Sequence, residues 1–555
     1  MSNFILAIDQ GTTSSRAIIY DKSMQVVAHA QQELPLYLPQ AGYVEQKAEE
    51  IWQTVYSSIR NALQRANLTV SDLAAIGISN QRETSLLWHR HTGEVLHNAI
   101  VWQDRRTADY CQQLKLSNIE PMLQQKTGLL ADPYFSATKL RWLLQHVPNA
   151  RALAEQGDLC FGTVDTYLLW RLSGSKVHAT DASNASRTML FNIHCQQWDD
   201  ELLELFSIPK SVLPEVFDSA AQYGVTDKNL FGAEIPLLAV LGDQQSALLG
   251  QACVNPGMSK STYGTGCFAV VNTGSSVVSS QHKLLSTIAW RIQGQCTYAL
   301  EGSIFMAGAT MQWLRDRLGI INQASDTEAL ANGVPYQQTE LLIPAFTGLG
   351  TPHWRPDVKA ALFGMTRDSG RAQIAAAALC SVAYQTRDLL EAFIQDGISV
   401  HHLRVDGGMT ANRWFLQALA DLTQTPIERC TNSDATAFGT AFLAAMQLGW
   451  FSQLSDISTI WHSDWQLTPE IEDLIAQQIK TGKYQDDLAV IQEGLRLLAE
   501  RDRIYRGRFE ELKREVMIGV EELRRQEGIN AEEVFSELEE DLQQIEAKGF
   551  PISQK

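Results

Sequence analysis

Ile5-Leu6-Ala7-Ile8-Asp9-Gln10-Gly11-Thr12-Thr13-Ser14-Ser15-Arg16-Ala17-Ile18-Ile19-Tyr20-Asp21 is the stretch on which the fold turns. An apolar run ends on a carboxylate. A turn of glycine and hydroxyl residues follows, and a second apolar run leaves it. That order predicts a β-hairpin with a polar tip. The tip carries Asp9, the hydroxyls of Thr12, Thr13 and Ser14, the Arg16 guanidinium, and Gly11, which lets a ligand approach the backbone. Such groups can hold a metal-bound polyphosphate. No Gly-Lys-Ser/Thr follows, so this is not a Walker loop. A purely structural turn would share the same composition.

Outward from the hairpin, the 555 residues are too many for one core, and two large domains with an extra piece are expected. The net charge of -18 argues against a general nucleic-acid or anionic-membrane surface, though not against a local anion pocket. The eight cysteines are scattered without a CxxC pair, a usage that fits reduced thiols in a cytoplasm. The N-terminus enters a strand at once and lacks the order of a signal peptide. No apolar run reaches the ~20 residues that span a bilayer.

Strand-like and helix-like stretches alternate up to about residue 245. Ala74–Ser79 and Leu237–Leu241 read as buried strands, and Ile51, Val55, Ile59 and Leu63 give residues 49–66 helical spacing. A second unit opens with Ser261-Thr262-Tyr263-Gly264-Thr265-Gly266-Cys267-Phe268, another Gly/Thr turn before a strand. Two related halves, each with such a turn, predict a duplicated fold with a cleft between them, where ligands commonly bind. Leu403–Asp406 is expected as a strand entering Gly407-Gly408, with a helix from Thr410 to Leu422.

Four clusters can carry chemistry. The hairpin is the first. Asn80-Gln81-Arg82-Glu83-Thr84 is the second: on a loop, Arg82 and Glu83 can converge on one small polar ligand, whereas on a surface they are an ion pair. Gly242-Asp243-Gln244-Gln245 is the third. A carboxylate there faces the crevice of an open α/β sheet and suits a general base, although Asp is also a favoured helix cap. Thr265, Gly308, Gln312, Gly408 and Asn412 form the fourth, near two turns that could shape a nucleotide slot. Trp102, Tyr134 and Phe268 lie near these clusters and suit a core as well as a ligand wall. The histidines form no metal-ligand spacing, and no Gly-x-Ser-x-Gly elbow is present.

In chain order, Asp9–Arg16, Asn80–Thr84, Ala99–Arg106, Asp132–Ser136, Phe161–Thr166, Asn184–Leu190, Gly242–Gln245, Tyr263–Cys267, Phe346–Gly350 and Val405–Gly408 resemble the motifs of the glycerol kinases. These are FGGY carbohydrate kinases of the actin-like ATPase superfamily. The resemblance covers roughly residues 3–465. It implies an α/β fold of two duplicated actin-like (ribonuclease H-like) domains around a cleft, residues 1–248 and 249–462, with ATP, Mg2+ and glycerol as ligands. It implies that Arg82, Glu83, Tyr134, Asp243 and Gln244 bond the glycerol hydroxyls, that Trp102 and Phe268 pack on its carbons, and that Asp243 is the base. Asp9 would hold Mg2+. Thr12, Thr13, Ser14, Arg16, Thr265 and Gly308 would contact phosphates, and Gln312, Gly408 and Asn412 the adenosine. A homo-oligomer is implied too.

Two regulatory features of family members have no counterpart here. A Gly-Arg effector loop is replaced by Asn229–Glu234, with an acid and no arginine. A phosphorylatable histidine before Phe-Tyr-Gly is missing from Ala221–Gly224.

From about residue 463 the chain becomes charge-dense and helical in pattern, with Thr468-Pro469-Glu470 as a helix start. An all-α extension over 463–555 is expected. It resembles a ParD-like ribbon-helix-helix antitoxin in Leu467–Glu472, Gly482–Tyr484, Ile491–Asp502, Glu511–Val520 and Glu532–Leu538. That resemblance implies self-association or a toxin-like protein partner. Trp461–Gln466, where a DNA-reading strand would lie, is not basic. The stripes Ile471/Leu474/Ile475/Ile479 and Val490/Ile491/Leu495/Leu497/Leu498 need a partner surface, which the rest of the chain or a second copy of it could also supply.

Overall fold

The protein is described here as a computed structural model that covers residues 3–468 apart from 336–339, 356 and 432–433, and, beyond them, 482–484, 489, 493 and 496. Met1–Pro469 is one compact unit and Glu470–Lys555 a second. The expected helices and stripes of the tail lie outside the described residues.

The opening stretch is the predicted hairpin. Phe4–Gln10 pairs antiparallel with Ser14–Tyr20, setting Asp9 opposite Arg16 and Gln10 opposite Ser15. These strands sit in a six-stranded sheet of order Ala220–Val225, Pro236–Gly242, Leu73–Asn80, Phe4–Gln10, Ser14–Tyr20, Val26–Glu33. Three central strands run parallel, and their register places Gln10, Asn80 and Gly242 side by side. Three of the predicted clusters therefore start from one sheet edge, at the carboxyl ends where open α/β sheets bind ligands.

The second sheet has seven strands, Leu285–Ile292, Gln295–Ile304, Cys267–Gly274, Ser259–Tyr263, Leu403–Asp406, Ile427–Cys430 and Ser463–Leu467. Its last six repeat the pairing of the first sheet: two antiparallel pairs, two parallel pairs, then an antiparallel edge. This is the duplication that the second Gly/Thr turn announced.

Alternation of apolar and small residues buries both sheets. Ala48–Ala66 covers the first sheet with Ile51, Val55, Ile59 and Leu63 buried, the face its spacing predicted. Helices Asp243–Gly250 and Ala435–Gln447 cross between the halves. A Cβ on Gly250 would lie 1.9 Å from the Ala435 carbonyl oxygen, and one on Gly439 would lie 2.0 Å from that of Ser246.

Two expectations shift. The helix expected from Thr410 begins at Arg413, after a 3₁₀ turn over Gly408–Ala411. Asn412 ends that turn and caps the helix, its side-chain oxygen accepting from the Phe415 N–H at 2.9 Å. The extension expected from residue 463 does not begin there. Ser463–Leu467 is the edge strand of the second sheet, Leu467 is buried in its core, and the Arg429 guanidinium lies 3.5 Å from the Trp465 ring centroid. The polar-apolar alternation of this strand is covered on one side only, which made its composition look unlike the rest of the sheet.

Candidate active site

Leu73–Asn80 ends in a loop that carries Arg82 and Glu83, and both side chains are buried. Glu83 takes a left-handed backbone (φ 58°), so the two adjacent side chains converge rather than point apart. Arg82 donates to Glu301 Oε2 at 2.5 Å and to Oε1 at 3.1 Å, and its Nε lies 3.1 Å from Asp243. Arg187 donates to Glu83 at 2.6 Å and to Glu301 at 2.8 Å. The four charges form a closed, fully buried network. Burial alone would raise the Glu301 carboxyl, but Arg187 and Arg82 together hold it below the usual range. For Glu83, burial outweighs the same two arginines and its carboxyl is raised. Glu301 comes from the second half, while Arg82, Glu83 and Arg187 come from the first.

An aromatic wall faces this network. The Trp102 ring meets Tyr134 and Phe268 edge-on, at 5.6 and 5.9 Å between centroids, and Arg82 donates to the Tyr134 hydroxyl at 3.2 Å. The Trp102 indole N–H donates to the Thr12 hydroxyl at 2.9 Å, tying the wall to the hairpin tip. Behind Tyr134, the buried Lys139 ammonium donates to three successive carbonyls, Pro133 at 2.8 Å, Tyr134 at 2.5 Å and Phe135 at 3.1 Å. Burial pulls its pKa down to about 8 from 10.5. Below pH 8 both folded and unfolded chains carry this proton and the burial penalty is complete. Between pH 8 and 10.5 only the unfolded chain keeps it, so this group's contribution to stability rises with pH. The stability difference between wild type and Lys139→Met, from denaturant midpoints at pH 7.5 and 9.5, is expected to move in favour of wild type by about 1 kcal/mol or more.

Asp243 is not the helix cap. Gly242 holds that position, and Asp243 is the first helical residue, with its carboxylate turned to Arg82 and partly exposed. Asp9 faces it from the hairpin. Burial pushes the Asp9 carboxyl up to about 6, against the pull of Arg16, and the nearby Asp243 and Asp434 add to the rise. Its side chain still keeps 13% of its surface exposed. Arg16 reaches Asp9 only at 4.0 Å because its guanidinium is bonded to Asp434. Arg16 is shared by Asp9 and Asp434, whereas Asp243 pairs with Arg82. Among the described residues no group of three or more His, Cys, Asp or Glu could by itself hold a metal ion. Mg2+ commonly takes one or two carboxylates and completes its shell with water and phosphate oxygens, so the residues fit that ion.

In the second half, the turn Gly264–Gly266 carries the exposed Thr265, and the Ala307 and Ala309 N–H groups both donate to the Thr265 carbonyl at 3.0 Å. Gly308 opens the helix Gly308–Asp316, and a Cβ there would lie 2.6 Å from the Gly264 carbonyl. A Cβ on Gly408 would meet only open space. Gln312 is exposed on the same helix as Gly308. Asn412 is differently engaged: besides capping its helix, its amide donates to Thr327 at 3.2 Å, so both ends of its side chain are tied to the fold. Thr13 is exposed on the hairpin tip, with Ser14 and Thr12 partly so.

Sequence reasoning passed over Arg187, Glu301, Lys139, Lys260 and Asp434. Arg187 lay within a quoted motif. Glu301 and Lys260 lay in strands whose apolar context could have flagged a charge that needs a partner.

Residues 4–250 match the N-terminal domain of the FGGY family of carbohydrate kinases, and residues 260–448 match its C-terminal domain. A glycerol kinase from Allorhizobium ampelinum is 56% identical over 475 residues, covering 85% of this chain and 96% of that one. Glycerol kinase 1 of Pseudomonas aeruginosa is 55% identical over 462 residues, 83% of this chain and 94% of that one. The crystal structure of Plasmodium falciparum glycerol kinase with ADP superposes with a TM-score of 0.80 at 33% identity, covering 86% of this chain and 96% of that one. Nearly the whole length of each relative is matched by a chain whose candidate site clusters share one sheet edge, and the chain belongs to the FGGY family of carbohydrate kinases, among its glycerol kinases.

Proposed function

We propose that this enzyme transfers the γ-phosphoryl group of ATP to a terminal hydroxyl of glycerol, giving sn-glycerol 3-phosphate and ADP. The observation that carries the reading is the partly exposed Asp243 carboxylate beside the buried Arg82–Glu83 pair and the Trp102, Tyr134 and Phe268 wall. Arg82, Glu83, Tyr134 and Gln244 bind the hydroxyls, while Trp102 and Phe268 pack on the three carbons. Asp243 takes the hydroxyl proton as the new O–P bond forms and the β–γ bridging bond breaks. Thr12, Thr13, Ser14, Arg16, Thr265 and Gly308 line the phosphates, and Gln312, Gly408 and the backbone beside Asn412 line the adenosine. Asp9 would hold Mg2+, which when bound neutralises phosphate charge. Residues 1–248 and 249–462 are read as the two domains whose closure keeps water out.

A coupled assay for ADP release, with glycerol against ethylene glycol, xylulose and gluconate, tests the substrate. A preference for either sugar-derived substrate would overturn it. In the same assay Trp102→Phe keeps an aromatic, though smaller, ring and loses the indole N–H bond to Thr12. A net hydrogen bond is worth about 0.5–1.5 kcal/mol, so kcat/KM for glycerol is expected to fall by about two- to tenfold.

We read the tail as an antitoxin-like helical module that self-associates or takes a small toxin-like protein, in a cytoplasmic homo-oligomer. Its charge-dense sequence and the quoted motifs support this. All eight cysteines are free thiols, as suits a reducing compartment. Among the described residues no helix is long and apolar enough to cross a membrane. Light scattering on the full chain and on a chain ending at Thr468 is the test. Loss of oligomer with intact kinase activity is expected, and an unchanged oligomer would remove tail-driven association.

A further inference from the structure

Lys260 is a fully buried lysine that the mechanism above does not use. It lies in Ser259–Tyr263, the strand of the second half equivalent to the one that carries Asp9, and pairs across the sheet with Val270 and Arg404. Among the described residues its ammonium is in no ion pair within 4.0 Å. It donates instead to Gln244 Oε1 at 2.5 Å, to the Thr262 hydroxyl at 2.9 Å and to the Phe268 carbonyl at 3.4 Å. Gln244 follows Asp243 at the start of its helix, and Phe268 is one face of the aromatic wall. One ammonium thus ties together two residues from different elements that flank the same space. A buried cation with neutral partners is costly to keep, and burial does lower its pKa despite the more distant Asp406, Asp243 and Glu301. A methionine or leucine would fill the same volume without that cost, so the charge has a use.

We propose that Lys260 is a positioning residue for the alcohol, rotating the Gln244 carboxamide so that its NH2 group faces the substrate and its oxygen faces away, and holding the Phe268 backbone against the same anchor. With Oε1 turned to the ammonium, Gln244 presents its NH2 donors to the cleft, which favours a hydroxyl oxygen as acceptor. The inference rests on the reading of Gln244 and Phe268 as glycerol-binding residues.

The experiment is a double-mutant cycle on the full chain, with Lys260→Met, Gln244→Ala and the pair, reading KM for glycerol, KM for ATP and kcat separately. Lys260→Met is expected to raise the glycerol KM by about tenfold, the size of one lost charge-assisted hydrogen bond, with the ATP KM within about twofold of wild type. In the Gln244→Ala background the same change is expected to have little further effect on the glycerol KM. A full, multiplicative effect there would overturn the proposal, as would an ATP KM that rises in place of the glycerol KM. If Gln244→Ala alone leaves the glycerol KM unchanged, the reading of Gln244 as a glycerol residue falls, and the proposal with it. If Lys260→Met unfolds the protein, Thr262→Val decides: it keeps the lysine but removes one of its anchors, and a smaller rise in glycerol KM alone is expected. No rise would sink the proposal.

Discussion

Asp243→Asn is expected to lower kcat by about 10²–10⁴-fold, the range for loss of a positioned general base. The substitution keeps shape and one hydrogen-bond acceptor but cannot take a proton at neutral pH. Arg82 loses one charged neighbour and keeps Glu301 and Glu83, since those contacts are independent of Asp243. The glycerol pocket should therefore stay formed, and the KM for glycerol should change by no more than about threefold. A mutant whose kcat is intact would remove Asp243 as base and leave its carboxylate a mere partner of Arg82. Single-turnover kinetics at saturating ATP would separate this loss from an effect on product release.

Glu301→Gln is expected to cost about 3–5 kcal/mol of stability, because removing one member of a buried ion network leaves uncompensated charge. Two guanidiniums, Arg82 and Arg187, share this carboxylate, and none of the groups concerned reaches solvent. The glutamine still offers an oxygen, so the loss reports the charge rather than the bond. Denaturant unfolding of wild type and mutant gives the number. A difference below about 1 kcal/mol would mean that the network relaxes or admits water on losing the charge. Since Glu301 belongs to the second half and both arginines to the first, the same mutation should also raise the glycerol KM. Arg82 would then keep charged partners only in its own half, Glu83 and Asp243.

The parts of this molecule that were legible from sequence are those where a local signal is also a structural one. The hairpin at Asp9–Arg16 was visible because apolar runs and a Gly/hydroxyl turn are short-range features. The strand ends at Asn80 and Gly242 were visible for the same reason, and the family motifs then named their roles. The meeting of Trp102 with Thr12, and of Arg82 with Glu301, joins residues 90 and 219 positions apart. No periodicity encodes such distances. Asn412 shows the opposite limit: an Asn before a helix suits both a cap and a ligand contact, and the cap claims its side chain here. The strand at Ser463–Leu467 was missed because its alternation abuts a charge-dense tail that drew the reading away.

The glycine crossing between helices Asp243–Gly250 and Ala435–Gln447 has a consequence for how this chain can change. Each glycine rests on a backbone carbonyl of the opposite helix, within 2.0 Å of where a Cβ would stand. Backbone carbonyls already engaged in a helix cannot swing aside as a side chain can. A methyl group at either position would wedge apart the helix that presents Asp243, and no small substitution on the other helix makes room, since the obstacle there is main chain. Neither position offers a neutral path to any other amino acid, so this point of the chain is a mutational dead end for the whole enzyme.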